Sequence, residues 1–87
     1  MTGELSLSVI REKVGEIWNH VLDVPEGMED ATFFDLEGES ISAVRLVSRI
    51  EEELGVTIDV GDIFEVDPNA AALAERVALE AQVPIGA

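Results

Sequence analysis

LEGESISAVRLV, residues 36–47, sets one serine, Ser40, behind a glycine and two glutamates and directly ahead of a helical pattern. Carried onward, Ala43, Leu46, Val47, Ile50 and Leu54 recur on one face, and Gly55 stands where a C′ glycine ends a helix. The spacing predicts a helix over 40–54. A serine at such a start is ordinarily a cap, its hydroxyl accepting from an unpaired N–H of the first turn, and losing a cap costs about 0.5–2 kcal/mol. The simplest expectation for Ser40 is therefore structural.

Working outward, Ile10, Val14, Ile17, Trp18 and Val21 form one face of an earlier helix, with Ser6 or Ser8 as its cap. Pro25 forces its end near Asp23, because the residue before a proline is pushed out of the α region. Residues 23–39 hold seven acidic side chains, no Lys or Arg, and Pro25, Gly27 and Gly38. They read as a long loop, and a loop of this length in a small domain needs anchors, for which Phe33, Phe34 and Leu36 are the candidates. Beyond Gly55, VTIDV (56–60) alternates like a strand, but a lone strand leaves its backbone unpaired, so extended loop is expected. Residues 61–65 form one turn around Ile63 and Phe64. Asp67-Pro68-Asn69 supplies a turn and a cap for a last helix carrying Ala70, Leu73, Ala74 and Val77. The tail after about Glu80 is expected to fray. The fold class is all-α: three principal helices and one short one, in a single domain whose core runs over about 6–80.

Composition bounds the function. Eighty-seven residues suit one small core, and with aromatics at 5% that core is largely aliphatic. Nineteen acidic residues against five basic give a net charge of −14, which argues against nucleic acid and anionic membranes and favours basic protein surfaces as partners. There is no cysteine, hence no disulfide, thiolate metal site or thiol nucleophile. No stretch has the length of a membrane span or the pattern of a leader, so a cytoplasmic setting is expected.

Ser40, His20 and Asp35 are the residue types of a hydrolytic triad, but His20 is more simply a partly exposed histidine beside the apolar stripe of its helix. Neither DVPEGMEDATFF nor DVGDIFEVDPNA meets the ligand spacing of a calcium loop, and Glu51, Glu52 and Glu53 read as a solvated helix face. The second helix carries a further stripe. Ile41 and Val44, with Ser42, Arg45 and Ser48, lie beside its core face and suggest a docking surface.

Taken together, FFDLEGESISAVRLVSRIEEELGV, IFEVDP and AALAERV resemble the carrier-protein family of thiotemplate biosynthesis, in particular the peptidyl carrier proteins of nonribosomal peptide synthetases. The resemblance covers roughly residues 9–79 and follows the pattern Phe-Phe-x-Leu-Gly-Gly-Asp-Ser-Leu, an Arg-containing helix, Phe-Glu-x-Pro, and a last helix with Leu-Ala. It implies a four-helix bundle, not itself an enzyme. It also implies phosphopantetheine, derived from coenzyme A and esterified to Ser40, with Gly38 and Glu39 as flanking motif and Ile41, Val44, Arg45 and Ser48 as the docking face. The implied partners are a phosphopantetheinyl transferase, an adenylation enzyme and condensation or other downstream enzymes. A monomeric, free-standing carrier is expected.

Three positions depart from the family pattern: Glu37 stands where a glycine is usual, Glu39 replaces an aspartate, and Ile41 replaces a leucine. Because Glu37 surrenders a permissive backbone position, residue 37 is expected at negative φ. An acyl carrier of fatty-acid or polyketide synthesis is the alternative within the family, against which Arg45 and Arg49 speak. The rival from another class is an acidic helical adaptor in which Ser40 is only a cap.

Overall fold

The computed structural model describes residues 6–81; the tail expected to fray otherwise lies outside the described residues. Four helices follow in order: α1 (Leu7–Leu22), α2 (Ser40–Leu54), α3 (Val60–Val66) and α4 (Ala70–Glu80). Among the described residues there is no strand, and residues 56–59 are in neither helix nor strand, with Asp59 extended at the entry to α3. The helix α1 packs against both α2 and α4, and α3 rests on α2.

Local chemistry sets each boundary. Ser6 caps α1, its Oγ accepting from the Val9 N–H at 3.2 Å, and Asp23 closes that helix in the left-handed region at φ 52°. The N–H of Gly55, at φ 70°, ends α2 by donating to Glu51 O. Asp59 caps α3, and Asn69 caps α4 by accepting from Ala72 N–H at 2.8 Å. The apolar stripes then meet in one core of Ile10, Val14, Ile17 and Trp18 with Ala43, Leu46, Ile50, Leu54, Ile63, Leu73, Ala74 and Val77. Val47 lies half-buried at its edge, and Val56 and Ile58 of the second loop complete it. The buried Trp18 indole N–H has no hydrogen-bond partner among the described residues.

The long first loop is held in a way that corrects two expectations. Phe33 is fully buried, with its ring edge-on to Trp18 and Phe64 at centroid distances of 6.5 and 5.8 Å. Phe34, its neighbour, is 48% exposed and stacks on Phe64 from outside. The anchors are therefore Phe33 and the half-buried Leu36, not Phe34, because successive residues of a helical turn project about 100° apart and only the Phe33 ring reaches the core, with the Phe34 ring against its edge at 5.7 Å.

Residues 32–38 form a single helical turn closed at both ends. At its start the Thr32 hydroxyl accepts from Asp35 N–H at 3.2 Å while the Asp35 carboxylate accepts from Thr32 N–H at 3.3 Å, a reciprocal capping box. At its end Gly38 N–H donates to Phe33 O and Glu37 N–H to Phe34 O, both at 2.9 Å, the paired bonds of a Schellman motif. That motif needs its C′ residue in the left-handed region, and Glu37 accordingly sits at φ 60°, contrary to the negative φ expected of it. Gly38 is glycine for another reason: a Cβ there would overlap the Phe33 ring.

Two bonds tie this turn to the far side of the bundle. Phe33 N–H donates to Pro68 O at 2.9 Å, and Phe34 N–H to the Asp67 carboxylate at 2.8 Å. Asp67 itself ends α3 at φ 52°.

These arrangements separate neighbouring residues sharply. Phe33→Ala is expected to lower unfolding free energy by about 3–5 kcal/mol, as for a large buried aromatic, and Phe34→Ala by far less, read by urea or thermal unfolding. Glu37→Gly relieves a left-handed backbone that costs an L-residue about 1–2 kcal/mol, partly offset by glycine's entropy, so stability should hold or rise slightly. Gly38→Ala should instead cost about 1–3 kcal/mol through the clash with Phe33.

Candidate functional site

The turn at 32–38 delivers the chain directly into α2, whose cap position is Glu39, extended at φ −129°. Ser40 is thus the first helical residue and not the cap, which corrects the structural expectation for it. The Glu39 side chain makes no capping hydrogen bond, and the first turn of α2 holds no acidic residue. Ala43 N–H is the first to find a backbone partner, Glu39 O at 2.9 Å. The helix end therefore keeps the unpaired N–H groups and positive dipole that favour an anion, with the exposed Ser40 beside them. A phosphodiester on Ser40 fits this end of a fifteen-residue helix.

The triad does not assemble. Asp35 is engaged with Thr32. His20 lies against Arg49, nine residues beyond Ser40 and about 13 Å along α2 at 1.5 Å per residue. Arg49 Nη1 sits 3.2 Å from His20 Nδ1. The same guanidinium donates to the Glu53 carboxylate at 2.7 Å, and this hydrogen bond holds the Glu53 carboxyl below the usual carboxylate range. Among the described residues no cluster of three His, Asp or Glu side chains is arranged to hold a metal.

The stripe beside the core face of α2 is open. Ile41 is 67% and Val44 52% exposed, against complete burial of Ala43, Leu46 and Ile50. Ser40, Ile41, Val44 and Arg45 line one shallow depression that is almost wholly apolar. Val44 and Arg45 also belong to an adjoining one, formed with Ser48, Arg49, His20 and Val21 at the seam with α1. Gly38 and Glu39 precede the serine, Glu39 exposed and Gly38 partly covered by Phe33. Ser40, Ile41, Val44 and Arg45 thus share one depression, and Ser48 lines the adjoining one. Those that hold the face in place, Thr32, Asp35 and Asp67, carry signals only in part: Thr-x-x-Asp is a readable capping box, whereas the bond from Phe34 to Asp67 spans 33 residues.

The chain matches a family model described as "Phosphopantetheine attachment site" over residues 12–77. It is similar to a dimodular nonribosomal peptide synthase of Bacillus subtilis, 42% identical over 77 residues, which is 88% of this chain and 3% of that protein. It is also similar to the phosphinothricin tripeptide synthetases PhsC and PhsB of Streptomyces viridochromogenes, at 36% over 75 residues and 38% over 77. Those stretches are 85% and 88% of this chain but only 7% and 6% of the respective synthetases. The chain thus spans a small fraction of the curated relatives it matches, the size of one domain within each. Four helices without a strand among the described residues, an open helix end behind a closed helical turn, and a family match over residues 12–77 converge: the chain belongs to the phosphopantetheine attachment family, generally non-catalytic domains that carry a covalent phosphopantetheine arm.

Proposed function

We propose that this chain is a peptidyl carrier in which the arm is attached at Ser40, and that it tethers an aminoacyl or peptidyl intermediate as a thioester in nonribosomal peptide synthesis. The carrying observation is Ser40 itself: exposed, first in its helix, and next to a helix end that no side chain caps. Attachment forms a bond from the Ser40 oxygen to the phosphorus of the phosphopantetheinyl group and breaks the pyrophosphate link of coenzyme A, releasing adenosine 3′,5′-bisphosphate, while the hydroxyl proton leaves to a base on the transferase. The arm supplies a terminal thiol on a flexible tether. The protein's part is to present the hydroxyl, offer N–H groups and a dipole to the phosphodiester, and dock enzymes beside it.

A phosphopantetheinyl transferase, an adenylation enzyme and condensation or other downstream enzymes are the partners of this reading, with the cytoplasm as its setting. No helix among the described residues is long and apolar enough to cross a membrane. Ile41 and Val44, exposed beside Ser40, form the apolar centre of the docking face, with Arg45 and Ser48 next to them. Asp35, Glu37 and Glu39 add negative charge at the approach, which acts on encounter rate and its salt dependence more than on affinity.

Intact mass after incubation with coenzyme A, magnesium and a promiscuous phosphopantetheinyl transferase tests the site. One arm should appear on the wild-type chain and none on Ser40→Ala, which should remain folded because Ser40 makes no cap; an arm found on Ser42 or Ser48 would refute the assignment. The docking face makes a second demand. Val44→Asp should leave helicity and melting temperature nearly unchanged while slowing arm transfer, since charge is disfavoured at an interface core. Leu46→Asp should unfold the domain, because it buries an unpaired charge.

A further inference from the structure

The docking face is not uniformly acidic, although the chain carries −14. On the approach side of Ser40 lie the exposed Asp35, Glu37 and Glu39. Beyond the apolar pair Ile41 and Val44, the surface turns positive with Arg45 and Arg49, which share one depression with His20. Two of the chain's five basic residues therefore sit within it.

These two arginines differ. Arg49 is occupied, donating to Glu53 at 2.7 Å and facing His20. Arg45 makes no ion pair among the described residues, whereas Arg49 and Arg76 both do. Its neighbours one helical turn away, Ile41, Ser42, Ser48 and Arg49, include no carboxylate. It lies five residues past Ser40, about 7.5 Å along the helix, so an enzyme that closes over Ser40 also covers Arg45. A guanidinium covered by a partner and left unpaired carries a heavy desolvation cost.

Resting on the reading of Ser40 as attachment site, we propose that Arg45 is the receptor for a carboxylate on the phosphopantetheinyl transferase that attaches the arm. That partner surface would run from basic, opposite Glu37 and Glu39, through apolar over Ile41 and Val44, to acidic opposite Arg45. The order of charges fixes the direction in which the enzyme lies along α2, which an all-acidic face cannot do.

The test exploits opposite signs. Arg45→Glu loses one positive charge and gains one negative, taking the chain from −14 to −16. If overall acidity alone steers a basic enzyme, this speeds transfer; if Arg45 meets a carboxylate, it slows it. Arg11→Glu makes the same net change nine residues before His20, about 13.5 Å along α1 from the depression, and serves as the charge control. The readout is kcat/KM for arm transfer by a phosphopantetheinyl transferase that modifies the wild-type chain, at low salt and at about 0.5 M salt, where screening reaches within a few ångströms. Arg45→Glu should fall at least tenfold at low salt and recover partly at high salt, Arg45→Gln should fall less, and Arg11→Glu should match or exceed wild type. All three should melt like wild type. Equal rates for Arg45→Glu and Arg11→Glu, or a loss that salt does not relieve, would overturn the carboxylate receptor while leaving Ser40 as the site. Failure of the wild-type chain to accept an arm would instead overturn the attachment reading itself.

Discussion

The contact between the Phe33 ring and the backbone of Gly38 fixes most of what matters at the candidate site. Phe33 reaches the core between Trp18 and Phe64, and Gly38 lets the chain pass over its ring with no side chain in the way. Two residues later the chain is in α2. The position of Ser40 is therefore set by core packing, although nothing about the serine is buried. The loop preceding it, otherwise polar, gains a fixed course because Phe33 is buried, its N–H donating to Pro68 O and that of Phe34 to the Asp67 carboxylate.

That contact also explains the backbone around it. A turn closed by a Schellman motif places its C′ residue in the left-handed region whatever its identity, and the bonds from Glu37 and Gly38 to Phe34 and Phe33 leave no other conformation. Glycine suits that position, which accounts for the family's usual residue there. With Glu37 in its place the strain is borne by the capping box, the paired carbonyls and the buried ring. Of the two adjacent positions, only 38 has a steric demand for glycine; position 37 has a conformational preference for it.

The helices were legible because their apolar residues repeat with the helical period and their ends carry recognisable caps: Ser6, Gly55 and Asn69 all do what their types suggest. The exposed stripe at Ile41 and Val44 was legible for the same reason, as an apolar arc too wide for one buried face. The loop was not. Nothing in Phe-Phe says which ring enters the core, since that depends on the phase of a single turn fixed by Asp67 and Pro68, more than thirty residues away. The φ of Glu37 was read from residue type alone, and the hydrogen bonds of the turn outweigh that preference. Thr-x-x-Asp was the one available signal that residues 32–35 begin a helical turn.

Ser40 shows how one position separates two roles that sequence reading merges. A serine at the cap spends its hydroxyl on a backbone N–H of the first turn and is oriented by that bond. One residue later, at the first helical position, the hydroxyl has no such duty, and the cap position is filled by Glu39, whose longer side chain makes no capping bond here. The helix end thus stays electrostatically open while the hydroxyl next to it stays free. An anion joined to that oxygen would meet N–H groups left unpaired by the same one-residue offset. The capping bond forgone at the start of α2 leaves room for an anion there, which is what the proposed attachment at Ser40 requires.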